Sequence, residues 1–267
     1  MHIKRNQDIQ TVLFNETIFG PIHSRRLGTS LGVNLMPRDG KVCSFDCLYC
    51  EAGYNAQGAG HAGLPSRQEV KELLEAKLAG MKANGDRLDV ITFSGNGEPT
   101  IHPEFPAIID DVIELRDKYY PDVKISVLTN STMIHKPEVA AALRKIDNNI
   151  LKLDSAVEDT MRALDRPGAK SFTVESAIRD LKQFSGTGII QTMLTRGEHD
   201  GHRIDNTTPA EIQALIDAYN EIRPASIMIY SIDRRTPEQS LEKVPRSELE
   251  SIASQIRSTT SLPVSVA

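Results

Sequence analysis

Short apolar runs rich in β-branched residues alternate with helical periodicities along most of the chain. Six of these runs cover residues 31–36, 89–93, 124–128, 150–153, 189–194 and 226–230. Most of them are apolar on both faces, as strands buried on both sides are. Between them, apolar residues recur at helical spacing over residues 69–81, 106–120, 139–146, 177–184 and 212–222. This alternation predicts an α/β fold with a parallel sheet.

Two predicted helices begin with a capping signal. Ser66 is followed by Glu69 at the third position, and Thr208 is followed by Glu211 at the same spacing, with Pro209 at the first helical position. Both patterns predict a capping box. Residues 263–267 predict a seventh strand. The pattern fits both an open doubly wound sheet and part of a (β/α) barrel.

Polar residues follow the carboxyl end of every predicted strand. The loop after the first strand runs from residue 37 to residue 65, whereas such connections usually have about two to six residues. The other strands are followed by polar residues at 94–98, 129–131, 154–155, 195–196 and 231–234. In both candidate folds these loops carry the chemistry, so we expect the active site at this edge of the sheet.

The composition narrows the class of protein. Hydrophobic residues make up 39% and charged residues 25%, which is ordinary for a globular protein with a core. No apolar run approaches the ~20 residues of a membrane span, and the amino terminus lacks the apolar segment of a secretion signal, so we expect a cytoplasmic protein. The net charge of −5 argues against a surface that tracks nucleic acid, although basic pairs occur at Arg25–Arg26 and Arg234–Arg235.

The three cysteines of the chain lie together in the long first loop. Cys43, Cys47 and Cys50 have the spacing C-x3-C-x2-C, and an odd cluster in a reducing compartment indicates metal or cluster ligands instead of disulfides. A structural zinc site needs four ligands, so it would have to recruit a histidine, with His23 and His61 the nearest. A four-iron cluster normally takes four cysteines, so with three of them one iron is open to another ligand.

C-x3-C-x2-C with an aromatic residue, Tyr49, before the last cysteine resembles the cluster motif of the radical S-adenosylmethionine (SAM) superfamily. The sequence SGNGEP at residues 94–99 resembles the glycine–glutamate motif that borders the methionine end of SAM in that superfamily. Residues 19–37 are similar to a subgroup of stand-alone radical SAM proteins of poorly defined substrate, distantly similar to wyosine-type and glycyl-radical-activating branches. The resemblance covers residues 19–235.

The resemblance implies a fold and two cofactors. The fold would be a partial (β/α)6 TIM-like barrel forming a single domain over residues 1–267, with its core at about 30–235, an amino-terminal extension at 1–29 and a carboxy-terminal helix and strand at 236–267. The three cysteines would hold a [4Fe-4S] cluster, and SAM would bind its open iron through its amino and carboxylate groups. Glycines would let the backbone come close to SAM, and Glu98 would accept hydrogen bonds from the amino group.

The resemblance also implies SAM contacts elsewhere, each with an alternative. Asn130 and Asp154 match positions that contact the ribose or carboxylate, but helix capping explains them equally well. Thr192 and Ile232 match walls near the adenosine, and Tyr49 either packs in the loop or lies near the adenine. Arg25 and Arg26 are surface charges or hold an anion. The full set of expected cofactor-binding residues is Tyr49, Ser94, Gly95, Asn96, Gly97, Glu98, Asn130, Asp154, Thr192 and Ile232.

The leading hypothesis is therefore a radical SAM enzyme, an iron–sulfur oxidoreductase that cleaves SAM reductively to a 5′-deoxyadenosyl radical and abstracts hydrogen from an unknown substrate. A small molecule, peptide or protein is favoured over a nucleic acid as that substrate. The resemblance implies an external electron donor such as flavodoxin or ferredoxin, and no membrane partner is expected. The alternative is a zinc or iron–sulfur binding protein without SAM chemistry, serving structure or electron transfer.

Overall fold

The computed structural model describes residues 12–24 and 27–267 and contains one large, mostly parallel sheet. Its eight strands lie in the order β1-β2-β3-β4-β5-β6-β9-β11. Their bounds are β1 Ile18–Ser24, β2 Gly28–Val33, β3 Val90–Phe93, β4 Lys124–Thr129, β5 Asn148–Lys152, β6 Ile189–Met193, β9 Ser226–Tyr230 and β11 Val264–Val266. The six predicted strands are confirmed as β2 to β6 and β9, and the seventh as β11, which runs parallel to β9.

The helices lie between these strands, and the periodicity predicts five of them but not the helix over residues 158–165. They are α1 Arg67–Asn84, α2 Phe105–Tyr119, α3 Pro137–Leu143, α4 Glu158–Asp165, α5 Val174–Leu181, α6 Pro209–Ile222 and α7 Arg246–Thr260, with short 3-10 turns at Asn55–Gln57, Pro99–Ile101 and Lys182–Phe184. One face of the sheet buries alternate residues such as Leu31, Ile91 and Ile190 in a single core shared with the helices. In the described residues the edge strands β1 and β11 pair with different neighbours and not with each other, so the sheet is open, as in a partial barrel.

The predicted capping boxes are only half present. Ser66 accepts a hydrogen bond from the Glu69 N–H, and Thr208 accepts one from the Glu211 N–H. The Glu211 carboxylate, however, accepts hydrogen bonds from Ser155 and Thr160 instead of returning to the helix start. The capping signal therefore located both helix starts, while the glutamate of α6 ties that helix to the loop after β5.

A second, antiparallel sheet corrects the prediction of a simple loop after β6. It contains β7 Thr195–His199, β8 His202–Asp205 and β10 Glu242–Lys243 in the order β10-β7-β8. Residues 195–196 were expected to be loop, but they form the start of β7. These short strands are rich in polar and charged residues, so they lack the apolar signal that marks a buried strand.

Ion pairs join the first two helices on the outside of the sheet. The Asp111 carboxylate of α2 is buried and accepts hydrogen bonds from Arg67 at 2.6 Å and from Lys71 at 3.1 Å, both on α1. The hydrogen bonds from Arg67 and Lys71 hold the pKa of Asp111 below its ordinary value. Asp111 is thus a charged link between α1 and α2.

Candidate active site

The loop that carries the cysteines is fixed by a buried lysine. The Lys41 ammonium donates a hydrogen bond of 2.6 Å to the carbonyl oxygen of Gly53 and lies 3.7 Å from a carboxylate oxygen of Asp46. Asp46 in turn accepts the Asn55 N–H, and the Asn55 amide donates to the carbonyls of Cys43 and Phe45. The two ends of the loop are therefore joined through Lys41 before any metal binds.

The same loop docks on the end of α4. The Leu48 N–H donates to the carbonyl of Leu164 at 3.0 Å, and the Gly168 N–H donates to the carbonyl of Ser44 at 2.8 Å. Leu48 and Leu164 are fully buried, and with Met193 they belong to a small apolar cluster separate from the main core. This docking holds the cysteine loop against the carboxyl ends of β5 and β6.

The three thiols lie on one short loop, in which the Cys50 N–H donates a hydrogen bond of 3.2 Å to the Cys47 carbonyl. Burial raises the pKa of Cys43 to about 12 and the pKa of Cys47 well above its ordinary value, and the charges of Glu98 and Asp165 raise the pKa of Cys43 and Cys47 respectively as well. Cys47 is buried, while Cys43 and Cys50 are partly exposed. In the metal-free chain Cys43 and Cys47 are therefore protonated, and metal binding must release their protons.

Polar groups lie beside two of the sulfur atoms. The Asn130 amide nitrogen is 3.6 Å from the Cys43 sulfur, and the Cys47 sulfur is 3.6 Å from a carboxylate oxygen of Asp165. An N–H group aimed at a sulfur stabilises negative charge on that sulfur. Asn130 is thus placed to support a thiolate at Cys43.

The glycines of the loop after β3 are required by the protein itself. Gly95 and Gly97 have φ values of 145° and 146°, which strain any residue with a side chain. A Cβ at Gly97 would overlap the carbonyl oxygen of Val42, and one at Gly95 would lie 2.5 Å from the Asn34 side chain. These glycines therefore let the loop after β3 pack directly against the start of the cysteine loop.

Asn96 is placed differently from the expectation. Its side chain is fully buried and exchanges hydrogen bonds with the backbone of Phe14, with a further bond of 2.8 Å to the carbonyl of Pro37. These bonds reach the start of the cysteine loop at Pro37 and the amino-terminal segment at Phe14. The Asn96 side chain thus fastens that segment and does not present a group at the mouth of the sheet.

Glu98 is a buried brace between the ends of β3 and β4. Its carboxylate accepts hydrogen bonds from the N–H and hydroxyl of Thr100, at 3.0 and 2.5 Å, from the Thr129 hydroxyl at 2.7 Å and from the Asn130 N–H at 2.6 Å. Burial raises its pKa, although these hydrogen bonds oppose the shift. Four protein donors therefore already engage the carboxylate that was expected to meet the amino group of SAM.

Asn130 and Asp154 do not cap helices, so that alternative is wrong for both. Helix α3 begins after Lys136 and α4 after Val157, and neither has a side-chain cap. The Asn130 oxygen instead accepts the N–H and hydroxyl of Thr132, which makes a local turn.

The Asp154 carboxylate accepts hydrogen bonds from the Tyr49 hydroxyl, from the Lys152 ammonium at 3.1 Å and from the Met193 N–H at 2.8 Å. The Lys152 ammonium also donates to the Tyr49 hydroxyl. Burial opposes the charge of Lys152, but Asp154 raises its pKa well above the ordinary value, so the ammonium stays protonated. Tyr49 is thereby held by charged groups beneath the cysteine loop.

Thr192 is on the wrong face of β6 for the expected contact. Its side chain is fully buried, and its hydroxyl bonds to the Leu153 carbonyl at 2.7 Å and to the Tyr219 hydroxyl of α6 at 2.6 Å. Neighbouring residues of a strand point to opposite faces, so Met193 faces the mouth instead. The hydroxyl of Thr192 therefore cannot form part of an adenosine wall there.

A cavity of about 220 Å³ opens beside the cysteines. Cys50 and Tyr49 line one side, and Met193, Tyr230 and Ile232 line the other. Ser94, Gly95 and Gly97, at the end of β3, are partly exposed. The structure therefore brings Ile232 and Tyr49 into one cavity with Cys50 and leaves residues of the glycine loop accessible.

Sequence reasoning missed Lys41, Lys152 and Asp165. Each is a single charged residue whose role depends on contacts in the folded chain, such as the contact of Asp165 with Cys47, 118 positions away. The one signal available in the sequence was Lys152, a lysine in the apolar run that forms β5. A charged residue buried in a strand needs a partner of opposite charge, so it indicates an ion pair.

The histidines considered for a zinc site serve other purposes. His102 is buried, with its ring bonded to the carbonyl of Pro65 and to the Glu104 N–H, while His23 and His61 are exposed. Within the described ranges, no group of three or more histidine, cysteine or acidic side chains is arranged around a single metal ion. Three soft thiol donors from one loop, with no fourth cysteine in the chain, instead fit an iron–sulfur cluster that has one iron open.

Comparison with known proteins identifies the family and the fold. A model of the radical SAM superfamily matches residues 39–208. Among solved structures, the sheet and helices are similar to SuiB of Streptococcus suis bound to S-adenosylmethionine, with a TM-score of 0.62 and 17% identity over 88% of this chain and 50% of that chain. They are also similar to a radical SAM methyltransferase from Sphaerobacter thermophilus, with a TM-score of 0.61 and 15% identity over 89% of this chain and 65% of that one. At these identities the likeness shows the fold.

The chain therefore belongs to the radical SAM superfamily, a class of enzymes with a partial α/β barrel. A [4Fe-4S] cluster and SAM are the cofactors of this superfamily and thus of this chain. No helix in residues 12–24 and 27–267 is both long and apolar enough to cross a membrane. Arg25 and Arg26, expected to be surface charges or an anion site, lie outside the described residues.

Relatives similar in sequence carry names that leave the substrate open. A UPF0026 protein of Helicobacter pylori is 28% identical over 81% of this chain and 66% of that protein, and a UPF0026 protein of Methanocaldococcus jannaschii is 32% identical over 66% of this chain and 53% of that protein. A protein of Brachyspira hyodysenteriae named GTPase Obg is 26% identical over 95% of this chain but only 35% of its own length. The chain thus spans less than two thirds of the relatives it matches. Its sequence has no G-x-x-x-x-G-K-[ST] motif, which is the phosphate loop of many GTPases.

Proposed function

We propose that this protein is a radical SAM enzyme that abstracts hydrogen from a substrate still to be identified. The observation that carries the proposal is a loop with three cysteines, two of them partly exposed, which bonds to the accessible glycine loop of β3 at Val42 and contributes Cys50 to a cavity. When bound, the reduced cluster supplies one electron that cleaves SAM to methionine and a 5′-deoxyadenosyl radical, which takes a hydrogen atom from the substrate. An external donor such as flavodoxin or ferredoxin would supply that electron.

Different residues of this chain would bind different parts of the two cofactors. Cys43, Cys47 and Cys50 would hold three irons. The backbone of residues 94–97 would border the methionine end of SAM, next to a Glu98 that keeps this loop in place. Tyr49 and Ile232 would line the adenosine side, in the cavity that contains Cys50.

Two further features of the proposal concern the whole chain. We propose a single domain over residues 1–267, supported by β1 and β11 joining the same sheet as the core strands. We also propose a cytoplasmic location, where a reducing environment keeps thiols available for a cluster.

The test is anaerobic reconstitution with iron and sulfide, followed by dithionite and SAM. The proposal predicts a brown protein with about four irons per chain and formation of 5′-deoxyadenosine. Cys47→Ala is expected to lose the cluster and the product, because a buried ligand is removed, while circular dichroism shows its helices retained. Normal SAM cleavage by this variant would rule out the ligand assignment.

Histidine variants provide the matched control. His23→Ala and His61→Ala change exposed residues, and a cluster held by cysteines alone predicts unchanged iron content in both. A colourless protein that binds one zinc per chain, and loses it when either histidine is replaced, would instead favour a structural zinc site.

A further inference from the structure

A second cavity, of about 410 Å³, adjoins the cavity that contains Cys50. The two share Ile232, Arg234 and Thr236, in the loop after β9. The second cavity is otherwise lined by Arg235, Gln239 and Leu241. A molecule that spans both would have one end near the cysteines and the other near two arginines. A volume of this size suits a small-molecule group.

The cations around this mouth are paired with carboxylates, with one exception. Lys243 is 2.6 Å from Asp233, Arg234 is 2.6 Å from Glu51, and Arg196 pairs with Glu248. Arg235 is exposed, and among the described residues it has no hydrogen bond or ion pair. Its guanidinium group, which lines the cavity, is therefore available to a ligand.

We propose that Arg235, assisted by Arg234, binds an anionic oxygen group of the substrate, either a phosphate or a carboxylate, in this second cavity. This inference rests on the proposed function and deepens it, because it assigns a charge to the substrate. A guanidinium group presents parallel N–H donors that match the two oxygens of a phosphate or carboxylate. Thr236 and Gln239 add neutral hydrogen-bonding groups to the same wall.

SAM itself has no group for these arginines in the proposed arrangement. Its one carboxylate would lie on the methionine side, next to the glycine loop of β3. Strand β9 is four places from β3 in the sheet, so the arginines and the glycine loop follow different, non-adjacent strands. The adenosine part carries no negative charge, so the anion bound at Arg235 belongs to another molecule.

The experiment titrates simple anions into the cluster-loaded protein, anaerobically and without reductant. Inorganic phosphate and acetate serve as probes, followed by calorimetry and by phosphorus or carbon NMR. Wild-type protein is expected to bind at least one of them, and Arg235→Gln is expected to weaken that binding about tenfold, as the loss of one charge-assisted contact predicts. Arg235→Lys keeps the charge without the planar fork and should fall between the two.

Arg87→Gln is the matched control, because it removes the same charge from an exposed side chain just before β3, at the opposite end of the strands. Its anion affinity should equal that of the wild type. Preference for phosphate would indicate a phosphorylated substrate, and preference for acetate a carboxylate. The inference is overturned if neither probe binds the wild type, or if Arg235→Gln and Arg87→Gln weaken binding equally.

The outcome of this test is independent of the outcome of the test of the proposed function. The titration needs neither electron transfer nor SAM cleavage. A protein that binds phosphate through Arg235 but never forms 5′-deoxyadenosine would refute the proposed function and leave the anion site standing. A protein that forms 5′-deoxyadenosine but binds neither anion would do the reverse.

Discussion

Replacement of Glu98 is predicted to destabilise the metal-free protein before any cofactor is considered. In Glu98→Ala, four donors lose their acceptor, and two of them, the N–H groups of Thr100 and Asn130, are backbone groups that cannot turn away. The hydroxyls of Thr100 and Thr129 can rotate towards other acceptors. The minimum damage is therefore two unsatisfied backbone N–H groups in a buried site.

The magnitude follows from those two groups. Each buried donor without a partner costs about 1–3 kcal/mol, so the gross loss in the free energy of unfolding is about 2–6 kcal/mol. Removal of a buried carboxylate returns part of this, because its burial is itself unfavourable, so we expect a net loss of about 2–4 kcal/mol. Glu98→Gln keeps one acceptor oxygen and the shape of the side chain and should lose about 1–2 kcal/mol.

Urea denaturation of the metal-free protein measures both values and also tests the charge of Glu98. Burial raises the pKa of Glu98 above its ordinary 4.5, so the part of its stability contribution that is linked to this shift is fully present below about pH 4.5 and is lost as the pH rises through the folded-state pKa. The hydrogen bonds from the N–H groups of Thr100 and Asn130 do not depend on this titration. Glu98→Gln should remove this part of the pH dependence. A loss below about 1 kcal/mol in Glu98→Ala, or an unchanged pH profile in Glu98→Gln, would refute the brace.

Three other substitutions test separate parts of the structure. Lys41→Met removes the buried ammonium that binds the Gly53 carbonyl, so the iron retained after reconstitution and desalting should fall well below the wild-type amount. Iron retention equal to that of the wild type would show that the cluster alone orders the loop. Asp111→Asn weakens the charged link to Arg67 and should lower the free energy of unfolding by about 1–3 kcal/mol near pH 7. Because the pKa of Asp111 is lowered in the folded protein, this difference should vanish as the pH falls below about 3.8 and through that pKa. Urea denaturation at pH values from 7 to 2 measures the difference. Gly80→Ala lies within α1 with no atom within 4 Å of the new Cβ, so it should stabilise by about 0.5–1 kcal/mol, and a lower melting temperature would contradict the open space at that position.

The main sheet was predictable because its strands are buried on both faces. Runs such as residues 189–194 and 226–230 carry their signal in hydrophobicity alone, and the parallel arrangement follows from the helices between them. Strands β7, β8 and β10 were not predictable in this way. Their residues are mostly polar, and the pairing of β10 with β7 joins residues 48 positions apart, Thr195 and Lys243.

The candidate site was predictable where a spacing carried the chemistry and failed where side-chain direction decided. Three cysteines within one loop indicate a shared metal whatever the fold. Thr192, in contrast, was assigned because its place on the fifth predicted strand matches a family position, and the alternation of side chains puts it on the same face as Ile190, in the main core. Applied strictly, that alternation selects Met193, which does line the cavity.

The glycine loop shows how one short sequence can serve the fold and the cofactor together. Gly97 lets β3's loop touch Val42 next to Cys43, Asn96 fastens the amino-terminal segment, and Glu98 joins this loop to β4. Replacement of Gly97, Asn96 or Glu98 disturbs the position of the cysteine loop, so a loss of activity alone does not identify a contact with SAM. A cofactor role at these residues therefore has to be measured as SAM affinity in a variant whose unfolding free energy and iron content are unchanged. Every variant that folds keeps the same backbone groups at the mouth.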